Sequence, residues 1–232
     1  MTPVEDTIPS LCEPLDALLG GGFTVGEVVV VYGEARTGKT TLAIQTAVEA
    51  ARRGSKVVYI DTDRSFTHQR FSQLAGEDTE SVSERILLFF PDTFSDQTSL
   101  IESVENYLTA STRLIVVDTI TSLYRVSLGS AERTFSLNRE LNRQLAYLSE
   151  VALRRRLVAL LTSQVHARLA FPFGRIEPVA RRTLAHWPRT IIRLKNTPDP
   201  SRKEIAIERR RGRQTAPLKC LAMLTARGFV PV

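Results

Sequence analysis

Two cysteines, Cys12 and Cys220, are all that the 232 residues hold. They are too few and too far apart in sequence to suggest a disulfide framework, and without a CxxC pair there is no thiolate metal site. The opening residues include Glu5 and Asp6 and no apolar stretch, so they do not read as a secretory signal. No apolar run reaches the roughly 20 residues that a membrane-spanning helix needs. Internal repeats, low-complexity tracts and linkers are also missing. The length lies under the ~250–300 residues at which cores split, so one domain over residues 1–232 is expected. Hydrophobic residues at 43% and charged residues at 24% exclude a disordered chain.

What the chain does have is an uneven charge. The formal balance is +6, with acids concentrated in the first half and arginine dominating between Arg168 and Arg213. That half suits a polyanionic partner, and a solvated basic face would look the same.

Apolar runs alternate with helical patterns, which predicts a parallel sheet with helices on its faces. Strands are expected at residues 27–32, 56–61, 85–90, 114–118 and 157–163. Helices are expected at 39–53, 67–75, 132–155 and, with Ser95 as N-cap, from 95 to about 108. Residues 166–186 read as loop. Beyond them, strands at 190–194, 204–208 and 218–224 lie too close together for crossover helices, so they should pair antiparallel.

Gly33-Glu34-Ala35-Arg36-Thr37-Gly38-Lys39-Thr40, followed by Thr41, fits G-x-x-x-x-G-K-[ST] between a strand and a helix. Its glycines let successive N–H groups turn inward onto phosphate oxygens, and the helix adds its positive end. Lys39 is then expected at the β- and γ-phosphates of ATP, with the Thr40 hydroxyl on Mg2+. Arg36 stands where a small residue is common and is expected at positive φ. Its side chain either reaches nucleotide or a neighbouring subunit, or points into solvent. The run Leu114-Ile-Val-Val-Asp118 ends an apolar strand in a carboxylate, as the magnesium shell requires.

Several stretches together resemble the RecA/RadA recombinase family, most closely its archaeal RadB paralogues. They are Leu15-Asp16 to Gly22, the P-loop, Tyr59-Ile-Asp-Thr-Asp63-Arg-Ser-Phe66 with Arg70, Val117-Asp118 to Arg125, Thr162-Ser-Gln164-Val-His166, and Leu184-Ala-His186. The resemblance implies a RecA-type P-loop NTPase core: α/β, with a mainly parallel central sheet flanked by helices and antiparallel C-terminal strands.

The resemblance also carries residue roles. Asp63 stands where the family has the glutamate that polarises the attacking water. Aspartate is one methylene shorter, and small misplacements of a base can cost ~100-fold, so slow hydrolysis is expected. Gln164 matches the amide that senses the γ-phosphate, and Arg70 an arginine that stacks on adenine. Two loops, at about residues 126–135 and 167–182, would face DNA, single-stranded by preference. The second holds Arg168, Phe171, Phe173, Arg175, Arg181 and Arg182, where cations could track phosphates and aromatics stack on bases. Arg181 replaces a usual glycine.

Among the C-terminal arginines, Arg209, Arg211 or Arg213 could act in trans on the ATP of an adjacent copy in a homo-oligomer, or form a basic turn without that role. RadA-type recombinases carry an N-terminal domain that has no counterpart here. The expectation is therefore a cytoplasmic, nucleoid-associated protein that assists a RadA-type recombinase, with no metal but nucleotide-borne magnesium. A hexameric motor, a KaiC-like ATPase and a switch that never hydrolyses ATP are the competing readings.

Overall fold

A computed structural model describes residues 7–167, 176–178, 180–184 and 186–232, with backbone alone at 166, 167, 176–178, 181, 182 and 215–217. A short antiparallel ribbon of β1 (Thr7–Ile8) and β2 (Phe23–Thr24) brackets helix α1 (Glu13–Leu19). The chain continues through β3 (Val28–Gly33), α2 (Lys39–Arg52), β4 (Lys56–Asp61), α3 (His68–Ala75), α4 (Thr79–Ser83), β5 (Ile86–Phe89) and α5 (Phe94–Glu102). Then come β6 (Thr112–Asp118), α6 (Ser122–Val126), α7 (Ala131–Arg155), β7 (Val158–Ser163), and the small pair β8 (Val165–Ala167) and β9 (Ile176–Pro178). Helix α8 (Arg181–Leu184) leads into β10 (Thr190–Asn196), β11 (Arg202–Arg210), β12 (Arg213–Thr225) and β13 (Gly228–Pro231).

One sheet organises these elements, in the order β13-β12-β11-β10-β3-β7-β6-β4-β5. Pairing is parallel from β10 to β5 and antiparallel from β10 to β13. This is the mainly parallel sheet with antiparallel C-terminal strands that the spacing predicts. Strict alternation in β6 explains the layering. Leu114 and Val116 enter the core under α1, α2 and α3, while Ile115 and Val117 enter the core under α5 and α7. Strands buried on both faces read as continuous apolar runs for this reason.

Some boundaries differ from expectation. Thr93, not Ser95, caps α5, because Thr93 and Asp96 close a reciprocal capping box. That helix stops at Glu102, and a separate 3-10 turn follows at Val104–Tyr107. Where residues 166–186 are described, they hold the end of β8, all of β9 and α8, not only loop. The first expected DNA loop shrinks to residues 127–130, since α6 ends at Val126 and α7 starts at Ala131. Ser130 caps α7 by accepting from the Arg133 N–H at 3.3 Å.

Candidate functional site

Four neighbouring strands, β3, β7, β6 and β4, end at the same edge of the sheet and deliver the singled-out residues together. Carboxyl ends of parallel strands are where open α/β sheets bind ligands.

The P-loop leaves β3 at Gly33, where a Cβ would lie 2.3 Å from the Leu194 carbonyl oxygen, so only glycine fits between β3 and β10. Gly38 caps α2 at φ +94, and a Cβ there would meet the Phe229 ring at 2.6 Å. The loop thus rests on the C-terminal hairpin. Thr37 is buried, and its hydroxyl donates to the Glu34 carbonyl at 2.9 Å. Arg36 takes φ +63, and Ala35 and Arg36 are exposed. Lys39 Nζ lies across the loop, donating to the Gly33 carbonyl at 2.9 Å and the Glu34 carbonyl at 2.7 Å. Burial lowers the Lys39 pKa, while Asp118, Asp63 and Glu34 pull it up.

Asp118 ends β6 fully buried. Its carboxylate accepts from Thr162, Thr40, Tyr59 at 3.1 Å and Ser65 at 3.4 Å. Burial pushes its pKa above the usual carboxylate range, against the bonds from Thr162, Thr40 and Tyr59, and neighbouring Asp61 adds to the rise. Thr40 and Asp118, expected around one magnesium ion, are therefore already joined. The Asp118–Thr119 peptide is cis.

Asp63 is exposed one turn beyond β4, and its carboxylate accepts from Gln164 Nε2 at 3.2 Å. The expected water-polarising carboxylate and the expected γ-phosphate sensor thus touch each other. Asp61 builds this corner by accepting from the backbone N–H groups of Asp63 at 3.1 Å and Phe66 at 2.7 Å. Arg70 reaches the same region from α3. Its guanidinium donates to the Thr41 hydroxyl at 3.2 Å, the Thr225 carbonyl at 3.2 Å and the Ala226 carbonyl at 2.7 Å. It stands between the end of the P-loop and the β12–β13 turn.

The arginines of the C-terminal hairpin lie elsewhere. Arg209 pairs with Ile191 near the start of β10, while Leu194 lies beside Gly33. Arg209, Arg211 and Arg213 therefore lie toward the end of the sheet away from their own P-loop. Arg209 donates to the Pro188 carbonyl at 3.1 Å, and exposed Arg211 forms the turn at φ +49, beside exposed Arg213. Arg181 and Arg182 are in α8 with backbone alone described. Arg168, Phe171, Phe173 and Arg175 lie outside the described residues.

Sequence reading missed the polar frame behind these groups. Tyr59, Asp61, Thr62 and Thr162 hold the site from behind, and Thr62 clasps Thr119 by donating to its carbonyl at 2.8 Å and accepting from its N–H at 2.9 Å. Their signal was polar residues closing apolar strands. Strand β13 was not expected either, although its hairpin with the expected 218–224 strand covers Gly38 and receives Arg70.

Comparison with known proteins gives consistent matches. Residues 7–205 match the Rad51 family. The chain is 40% identical over 204 residues to the "DNA repair and recombination protein RadB" of Thermococcus gammatolerans, covering 86% of this chain and 87% of that protein. It is 34% identical over 203 residues to the protein of that name from Methanococcoides burtonii, covering 88% and 89%. A solved structure described as "Crystal structure of the RadB recombinase" superposes with a TM-score of 0.83 at 34% identity, covering 97% of this chain and all of that one. Among the described residues, no helix is long and apolar enough to cross a membrane.

Proposed function

The chain belongs to the Rad51 family, and from that premise we propose that it is an ATP-binding, slowly ATP-hydrolysing protein of DNA repair and recombination that binds DNA and assists a RadA-type recombinase. The observation that carries this reading is the convergence of Lys39, Asp118, Asp63 and Gln164 at the ends of four adjacent strands.

The residues fit ATP with magnesium. Gly33 and Gly38 seat the loop directly on β10 and β13, and the N-terminus of α2 that follows offers backbone N–H groups to phosphates. Thr40 and Asp118 would hold Mg2+, which when bound neutralises charge developing on the phosphates. Lys39 would exchange its loop carbonyls for phosphate oxygens. Asp63 would accept a hydrogen bond from the attacking water. Its reach is short for that task and it already engages Gln164, which supports slow turnover. Gln164 leads directly into β8 and the arginine-rich segment at 168–182, so a change at the phosphates has a covalent route to the proposed DNA contacts. Arg70 would flank the base, and Arg209, Arg211 or Arg213 would serve a neighbouring copy's ATP. A cytoplasmic, nucleoid-associated location follows from work on DNA.

Binding of a fluorescent ATP analogue with Mg2+ tests the site. Lys39→Ala should weaken it by roughly 10–100-fold, the value of a charged hydrogen-bonding group lost from the phosphates. Equal affinity in the variant would remove Lys39 from the phosphates and with it this reading.

A further inference from the structure

We propose that Gln97 and Gln144, a buried amide pair between α5 and α7, are positioning residues that set how tightly magnesium is held with ATP. The inference rests on the reading of Asp118 as the magnesium carboxylate.

Both side chains are sealed from solvent, at 0% and 1% exposure, among apolar residues. Gln97 Nε2 donates to the Ile120 carbonyl at 3.2 Å and to Gln144 Oε1 at 2.8 Å. Gln144 Nε2 donates to the Thr98 hydroxyl at 2.6 Å, which donates to the Phe94 carbonyl at 2.9 Å. Gln97 Oε1 is buried without any hydrogen-bond partner. An orphaned carbonyl in such a core is a cost that methionine or leucine would not carry. What the amide supplies in return is a donor to Ile120.

Ile120 is two residues beyond Asp118. Its N–H donates to the Thr162 carbonyl at 3.1 Å, and the Thr162 hydroxyl donates to the Asp118 carboxylate. The turn after Asp118 is thus held from one side by β7 and from the other by Gln97. Gln144 in turn fixes the orientation of the Gln97 amide from α7. That helix begins at the 127–130 connection expected to face DNA, so a displacement of α7 would reach Asp118 through two amides.

The test is the Mg2+ concentration that half-saturates the enhancement of ATP-analogue binding, measured on the full chain. Gln97→Met keeps side-chain volume and removes the donor. It should raise that midpoint a few-fold, below the ~10–100-fold for loss of a group bonded to the ligand itself, because Gln97 holds the Ile120 carbonyl and not Asp118. Affinity for the analogue in EDTA should stay at the wild-type value. Gln144→Met, which leaves the Ile120 bond in place but frees the Gln97 amide, should shift the midpoint less and in the same direction, and it decides the matter alone if Gln97→Met does not fold. Unchanged midpoints, or affinities that fall in parallel with and without Mg2+, would overturn the proposal while leaving Asp118 its assigned role. If wild-type protein gains nothing from Mg2+, that role and this proposal fall together.

Discussion

At the scale of single residues, Asp63 sets the pace of the proposed chemistry. Its carboxylate is exposed, one methylene shorter than the family's glutamate, and bonded to Gln164. Asp63→Glu should raise single-turnover hydrolysis on the order of tenfold, within the ~100-fold that a misplacement of about 1 Å can cost. Asp63→Ala should abolish turnover while ATP affinity stays near wild type, because the proposed role places the group on water and not on phosphate. A slower Asp63→Glu enzyme would show that the length of the side chain does not limit turnover, and an Asp63→Ala enzyme that still turns over would remove Asp63 from the water. The Gly33 and Gly38 positions illustrate a different constraint. The first is closed by a carbonyl of β10 and the second by a ring of β13, so both glycines answer to strands more than 150 residues away.

At the scale of elements, the start of α1 is a titratable joint. Asp16 accepts from the Ser10 N–H at 2.9 Å and the Ser10 hydroxyl at 2.7 Å, tying the β1 side of the ribbon to the helix. Burial nonetheless raises its pKa from the usual 3.8 to about 6, against the pull of the Ser10 bonds. The folded state therefore holds this proton more tightly than the unfolded chain. The stabilisation is complete below pH ~4 and is lost as pH rises through about 6. Thermal midpoints across this window should show wild type losing stability relative to Asp16→Asn as pH rises. A gap that widens in favour of wild type would reverse the assignment.

Elements also show how far the sequence could be read. The strands of the parallel sheet and the helix after the P-loop are legible because their signals are local: apolar runs, a glycine-rich turn and a following helical period. The same holds for Lys39, Thr40 and Asp118. Asp63, Gln164 and Arg70 were legible through resemblance, since isolated polar residues at strand ends carry no distinctive spacing. What stayed hidden depends on distant pairing. The start of α5 follows from the Thr93–Asp96 box, where Ser95 is an equally good cap by residue type. The Gln97–Gln144 pair joins residues 47 positions apart. The β12–β13 hairpin acquires meaning only where it meets Gly38 and Arg70.

At the scale of the molecule, the sheet separates two chemistries. Lys39, Asp118, Asp63 and Gln164, the groups proposed to face phosphate, gather at the carboxyl edge, with Gln164 continuing toward the arginine-rich 168–182 segment. Arg209, Arg211 and Arg213 lie toward the opposite end, where they are proposed to serve a neighbouring copy. Such an arrangement can act as a switch only if nucleotide at the first edge changes affinity for DNA, and coupling of that kind is a reciprocal free energy between two sites.

Single-stranded DNA binding by fluorescence anisotropy, with and without ATP and Mg2+ across a salt series, tests that most directly. Binding should be tighter with ATP, fall steeply with rising salt as phosphate contacts are screened, and lose its ATP effect in Lys39→Ala. Binding that ignores ATP, or no binding even at low salt, would contradict it.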